Sequence, residues 1–254
     1  MTVHLPALSG LILTYALVFA RVGSMVMLLP AIGEMGVPAR VRLVLAVAIS
    51  FALTPQVQSN YPAAEPGTFL ELARLVMQEV VAGILVGAMA RIIMSALQVA
   101  GFLIATQTGL AYAQTVDPTQ NTQGAVLGNF LTLLGTTMVF LTNLHHLAIG
   151  AIAGSYRMIP PGGRLPTEDM AQLVIGLVSS SFALGFQLAA PFLVFSFAVY
   201  CGLGVLAKLM PQLQVFFVAV PINIMCGFII LLAVVGTLMS VFLNYYAAQM
   251  AVFL

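Results

Sequence analysis

Formal charges are spaced so widely along this chain that the gaps between them mark out its elements. None lies between Arg91 and Asp117, between Asp117 and Arg157, between Asp169 and Lys208, or after Lys208. A helix crossing the hydrocarbon core needs about 20 mostly apolar residues, since the core is about 30 Å thick and a helix rises about 1.5 Å per residue. Each gap holds at least one such helix. The apolar segments run from about Leu8 to Leu29, ending at Pro30, and from about Arg40 to Leu53, ending at Pro55. A third, from Phe69 to about Tyr112, exceeds one span and must bend, break or leave the bilayer. A fourth runs from about Ala125 to Ser155. The last two run from about Met170 to Lys208 and from about Gln214 to Phe253, separated by Pro211. Pro191 and Pro221 are predicted to kink or break them. Residues 56–68 and 159–169, rich in Pro and Gly, read as loops.

Composition turns these helices into membrane helices. The chain is 61% apolar and 6% charged, with net charge +1 over 254 residues. Soluble domains average about 45–50% and about 25%. So few charges cannot cover a soluble globule, which excludes a soluble enzyme, a disordered tail and a nucleic-acid binder. The runs are continuous and rich in Ala, Leu and Met, unlike the alternating segments of a β-barrel. The prediction is an all-α integral membrane protein of long, Pro- and Gly-broken helices. No basic region precedes the first apolar stretch, so that stretch is expected to stay in the mature protein rather than be cleaved as a signal peptide. Arg40 and Arg42, Arg157 and Arg164, and Lys208 are too few to set orientation by the positive-inside rule.

Small residues suggest close helix packing. Gly83 and Gly87, Gly124 and Gly128, and Gly150 and Gly154 each share a helix face, as do Gly101, Ala105 and Gly109. Gly83, Gly87, Arg91, Ser95 and Gln98 place a small-to-polar stripe on one face. It either lines a wet path or docks a partner, or Arg91 snorkels from a span end. Arg21 lies within its segment, where its alternative to a functional role is an ion pair with Glu34 or Glu79.

Catalytic chemistry has little foothold. His145 and His146 point about 100° apart on a helix and would not chelate one metal together; a capping or interfacial role suits them better. Asp117 has no nearby His or second acid. Cys201 and Cys226 form no metal spacing and, lying in apolar runs, are expected to be buried and inert. There is no Walker loop, so no nucleotide hydrolysis is expected. No catalytic residue, metal ligand or cofactor is predicted. The most unusual stretch is Gln107–Gly124, rich in Gln and Thr and charged only at Asp117, with Asp117-Pro118 breaking any helix. It reads either as a solvent loop or as irregular backbone buried in protein or lining a cavity.

Taken together, these motifs resemble the FliR family of the bacterial type III export gate and its injectisome counterparts, over nearly the whole chain. The resemblance rests on Ala20–Arg42 with Arg21, Pro30 and Pro38. It rests further on Gln107, Gly109, Ala113, Asp117 and Pro118, on His145-His146, on Ser155 to Pro160, and on Pro211-Gln212, Val215-Phe216 and Pro221. Gln214 departs from the family's asparagine. The Asp-Pro pair favours a flagellar member.

The resemblance implies a non-enzymatic subunit of the flagellar protein-export channel in the bacterial inner membrane. It implies assembly with FliP and FliQ, contact with FlhB and FlhA, and passage of unfolded flagellar proteins. Residues 1–160 would form a FliP-like half and 170–254 a FliQ-like helical hairpin, with much of the complex riding above the bilayer plane. Gln107–Gly124, including Gln123, would form part of a plug. Pro211, Gln212, Phe216 and Pro221 would face partners. Two alternatives differ in class: a self-sufficient small-molecule or ion transporter, motivated by Arg21, Arg91 and Gln98, and an intramembrane enzyme.

Overall fold

In the computed structural model, residues 5–34, 36–61, 67–111, 126–163, 165–210 and 215–253 are described, with side chains from Gly10 in the first helix and from Ala219 in the last. The described residues are helices and turns without strands. The helices are α1 (Leu5–Leu28), α2 (Ala39–Val57), α3 (Phe69–Gln107), α4 (Val126–Leu141), α5 (His145–Met158), α6 (Thr167–Leu209) and α7 (Val215–Met250). Short 3-10 turns follow α2 (Gln58–Asn60) and α7 (Ala251–Phe253). Five of these helices are long and apolar enough to cross a membrane, and α4 with α5 forms a bent pair that could make a sixth span. The chain is an all-α integral membrane protein.

Local chemistry accounts for the helix ends. Thr68 and Glu71 cap the start of α3 in a variant of the capping box, with Glu71 reaching one residue further back than the cap. Glu71 N–H donates to Thr68 Oγ1, and Glu71 Oε2 accepts from Gly67 N–H at 2.8 Å. α6 opens with Glu168 and Asp169 and closes with Lys208, the charges that its macrodipole favours at each end. After α1, Gly33 N–H closes a turn on Leu29 C=O at 2.7 Å.

The expected stop at Pro55 is corrected, since α2 continues through it. At Pro191 and Pro221 the helix does not break, and α6 and α7 run on through them. A proline removes one N–H from the ladder and presses on the carbonyl four residues earlier, but a long helix keeps its remaining bonds. Pro55 lies in the last turn of α2, and all three prolines are exposed. The long third segment likewise does not break: α3 is continuous for 39 residues. The fourth segment does break, without proline or glycine. α4 and α5 meet at 76°, and Asn143 at the corner has φ of +60°. Asparagine is among the few non-glycine residues that adopt this left-handed conformation readily.

The chain forms two compact units from interleaved stretches. The first contains Met1–Ile93, Phe140–Leu177 and Ala247–Leu254; the second contains Met94–Val139 and Val178–Tyr246. In the first, α1 packs on α2, and α5 touches α1, α2 and the C-terminal 3-10 turn. Its core gathers Val18, Val22, Met25, Ala82, Val86 and Ile152. In the second, Leu97, Ile104, Leu131, Phe192 and Phe242 are buried. Tyr245 OH lies 2.7 Å from Ser180 Oγ and 3.1 Å from Ser181 Oγ. This pairs the start of α6 with the end of α7 as an antiparallel hairpin.

Burial is uneven among the spans. Over its most apolar window α3 is 56% buried, whereas α6 is only 22% buried and α7 28%. That open surface corrects the expectation for the cysteines: Cys201 is exposed and Cys226 half-buried, because both lie on helices that place little of their apolar surface against the rest of the chain.

Candidate functional site

α1 repeats its buried residues at Leu17, Val18, Arg21, Val22, Met25 and Val26, one stripe of a 3.6-residue period. Arg21 lies inside that stripe, fully buried. A buried guanidinium is tolerated only when its charge and its N–H groups find partners, and here they do. Arg21 Nε donates to Glu79 Oε2 at 2.6 Å and Nη2 to Glu79 Oε1 at 3.2 Å, a bidentate pair. Nη1 donates to Ser155 Oγ at 3.1 Å, and Nη2 also to Ile159 C=O at 3.0 Å. The guanidinium carbon stands 3.8 Å from the centre of the Tyr156 ring, a cation–π contact.

Further hydrogen bonds hold these groups in place. Ser155 Oγ donates to Ile152 C=O at 2.6 Å. Tyr61 OH donates to Tyr156 OH at 3.3 Å, with the rings edge-to-face. Burial, with Tyr156 and Glu79 beside it, pushes the Tyr61 hydroxyl pKa upward, so Tyr61 remains a neutral donor. Gln78 Nε2 donates to Pro160 C=O at 2.9 Å. α1, α3, α5 and the turn after α5 are thus tied at one point.

Beside this junction α3 touches α1 almost backbone to backbone. A Cβ on Gly83 would collide with Arg21 C=O and Ser24 Oγ; one on Gly87 would meet Leu28 Cβ at 2.7 Å and Met25 C=O at 2.9 Å. The stripe continues differently. Arg91, Ser95 and Gln98 are exposed, and Arg91 Nη2 stands 3.6 Å from Glu34 Oε1. Of the two acids considered for Arg21, Glu79 takes it and Glu34 faces Arg91.

The second unit is sewn by small residues. Gly101 and Gly128 face each other so closely that a Cβ on Gly101 would strike the Gly128 backbone. Gly135 fits under Leu97 and Phe242, Gly185 under Val99, and Gly227 under Thr108. At the end of α3, Ser196 Oγ donates to Gln107 C=O at 2.9 Å, and Thr108 Oγ1 to Ile104 C=O at 2.9 Å. Gly109 then takes φ of +79°, a turn that glycine makes without strain.

Of the remaining predicted positions, Ala113, Asp117, Pro118 and Gln123 lie outside the described residues, as do Gly124, Pro211 and Gln212. Phe216 has its backbone in α7 and Pro221 is exposed on the same helix. The rings of His145 and His146 stand 4.2 Å apart, and His145 stacks on Phe140 at 5.0 Å. The residue at the N-cap of α5 is Leu144, which has no side-chain group to cap the helix. Among the described residues no cluster of three or more His, Cys, Asp or Glu could hold a metal. Tyr61 and Ser196 are members that sequence reasoning did not single out, and Ser155 and Tyr156 entered only within the Ser155 to Pro160 stretch, without a role. Uncharged donors in apolar runs carry no periodic signal.

The sequence model of the family described as bacterial export proteins, family 1, matches residues 12–248. The flagellar biosynthetic protein FliR of Caulobacter vibrioides is 39% identical over 238 residues, 94% of this chain and 94% of that protein. FliR of Bacillus subtilis is 28% identical, covering 92% and 90%. Yop proteins translocation protein T of Yersinia pestis is 30% identical, covering 84% and 82%. The family match runs from α1 to α7 and takes in both the Arg21 junction and the glycine seams. The chain therefore belongs to the bacterial export proteins, family 1, as a helical membrane component of a type III protein-export apparatus of the flagellar-biosynthesis kind.

Proposed function

We propose that this chain is a core, non-enzymatic subunit of the flagellar export channel in the bacterial inner membrane. It assembles with FliP and FliQ, contacts FlhB and FlhA, and helps pass unfolded flagellar proteins. One observation carries the reading. α6 has 43 residues, so it is about 65 Å long, twice the roughly 30 Å hydrocarbon core. Apolar side chains are exposed at both ends of it, from Ile175 at 67% to Leu209 at 76%. A helix at the usual tilt of about 20° would carry one end of that surface out of the lipid. Bare apolar surface of this extent in water is unfavourable, so partner proteins must cover it.

The division into a FliP-like part (1–160) and a FliQ-like hairpin (170–254) is part of this proposal, and the antiparallel pairing of α6 with α7 supports the hairpin. So is the plug, Gln107–Gly124. A route wide enough for polypeptide must also stop ions when idle, and a nearly uncharged segment can fill a lumen without attracting them. The turn at Gly109, with α3 held by Ser196 at Gln107, gives that segment a defined starting point. Pro211, Gln212, Phe216 and Pro221 would face partners. The transporter alternative loses its charges: Arg21 is engaged by Glu79 and Arg91 faces Glu34.

Two measurements test the proposal. The tagged chain should co-purify with FliP and FliQ and aggregate when expressed alone; a stable, substrate-binding monomer would defeat the channel-subunit reading. Deleting Gln114–Gln123 should leave assembly intact and make the membrane leak small ions; an unchanged seal in the assembled mutant would remove the plug.

A further inference from the structure

In the first unit an open groove of about 430 Å³ lies between the opening turns of α3 and the connection after α5. Arg74, Met77, Gln78 and Val81 line it from α3, Gly163 and Leu165 from the connection. Among the described lining residues Arg74 is the charged side chain. It is exposed, and no described acid pairs with it. Glu71, one turn earlier, uses its carboxylate on Gly67 N–H. Gln78 is buried and uses its amide on Pro160 C=O, which fixes the connection against α3 and keeps the trough open. The rest is apolar: Met77 is 67% exposed, and Val81 and Leu165 are half-buried.

The groove's place along the chain matters as much as its lining. The capping box sets Arg74 within the first two turns of α3, directly after the polar stretch 56–68. Beyond it the span is apolar to Gln78-Glu79 and again to Arg91. The cation therefore sits at the water end of a span, with the apolar trough running from it toward the membrane interior. A phospholipid has the same order of groups.

We propose that this groove seats an anionic phospholipid, its phosphate on Arg74 and the start of an acyl chain along Met77, Val81 and Leu165. A guanidinium grips phosphate bidentately and stays charged at all physiological pH. Basic pockets between membrane helices hold acidic headgroups by this chemistry. Methionine adapts its shape to a flexible chain. A lipid with a net negative headgroup is preferred over a zwitterionic one, because the described lining residues include no acid to receive an ammonium.

The test uses the assembled export complex, reconstituted in nanodiscs of equal phosphatidylglycerol and phosphatidylethanolamine, then extracted in detergent. Retained lipid is counted by mass spectrometry. Wild type should retain phosphatidylglycerol in excess. Arg74→Gln should lower that retention about fivefold, the worth of one cation near a headgroup. Arg74→Lys should keep most of it, and Arg40→Gln, an exposed arginine outside the groove, should leave it unchanged. Met77→Asp, which sets a negative charge on the chain's path, should expel the lipid while Arg74 remains. Equal retention of the two lipids, full retention in Arg74→Gln, or a groove filled by a partner polypeptide with no lipid retained would each overturn the proposal. Where a variant does not assemble, the wild-type ratio decides alone.

Discussion

Arg21 and Glu79 stand 58 positions apart in the chain, yet their side chains meet in a bidentate ion pair with Nε–Oε2 at 2.6 Å, both buried. Removing one partner leaves a buried charge without compensation, which costs about 3–5 kcal/mol. Arg21→Ala or Glu79→Ala should therefore abolish or severely reduce the folded fraction, read by detergent-solubilised thermal unfolding. Arg21→Lys should recover only part, since an ammonium cannot make the forked contact and the bonds to Ser155 and Ile159 together. Equal stability of wild type and Arg21→Ala would refute the junction's role.

The second ion pair should behave in the opposite way. Arg91 and Glu34 are 3.6 Å apart with side chains 53% and 60% exposed. Exposed pairs contribute about 0–1 kcal/mol. Arg91→Ala should shift the unfolding temperature hardly at all, and a loss as large as that of Arg21→Ala would mean that Arg91 holds something besides Glu34.

Gly101 approaches the Gly128 backbone too closely for a Cβ. Overpacking a well-filled interior costs about 1–3 kcal/mol when side chains can adjust, and here backbone must move. Gly101→Ala should destabilise the chain, and Gly101→Leu should prevent folding. Gly176→Ala is the control, because nothing lies within 4 Å of its Cβ position. The readout is the monodisperse fraction after purification; equal yields for Gly101→Ala and Gly176→Ala would count against close packing of α3 on α4.

The corner between α4 and α5 depends on Asn143 at φ of +60°. Left-handed backbone costs an ordinary L-residue about 1–2 kcal/mol. Asn143→Gly should be neutral or slightly stabilising, Asn143→Ala moderately destabilising and Asn143→Val worse. The order Gly, Asn, Ala, Val in thermal stability is the check; a reversed order would mean that the corner does not require a left-handed residue.

Tyr245→Phe removes one hydroxyl that touches two serines across the α6–α7 hairpin. Interhelical hydrogen bonds in membrane proteins average about 0.6 kcal/mol. A small loss of stability is expected, with helical circular dichroism unchanged. A large loss would show that the hydroxyl cluster, rather than apolar packing, sets the hairpin's register.

Which parts were legible follows from what each depends on. Lys208 and the two acids at the start of α6 mark its ends because charge avoids the bilayer whatever the fold. Pro55, Pro191 and Pro221 do not end their helices, because a lost hydrogen bond looks decisive locally but is one bond in a long helix. The break at Asn143 went unseen because its cause is one residue's tolerance of positive φ, without a Pro or Gly to announce it. Glu79 was one of two acids named for Arg21, and only packing could choose between them.

Hydropathy and the scarcity of charge, by themselves, determined that this chain enters a membrane as helices, and roughly where each begins. Those properties are sums over neighbouring residues, so they survive in a linear reading. Tertiary structure alone decided which acid Arg21 meets, which glycines touch backbone, and which long helices keep bare apolar faces. Such contacts join groups as far apart as the 134 positions between Arg21 and Ser155, and their energies depend on distance and orientation in space, which adjacency along a chain does not encode.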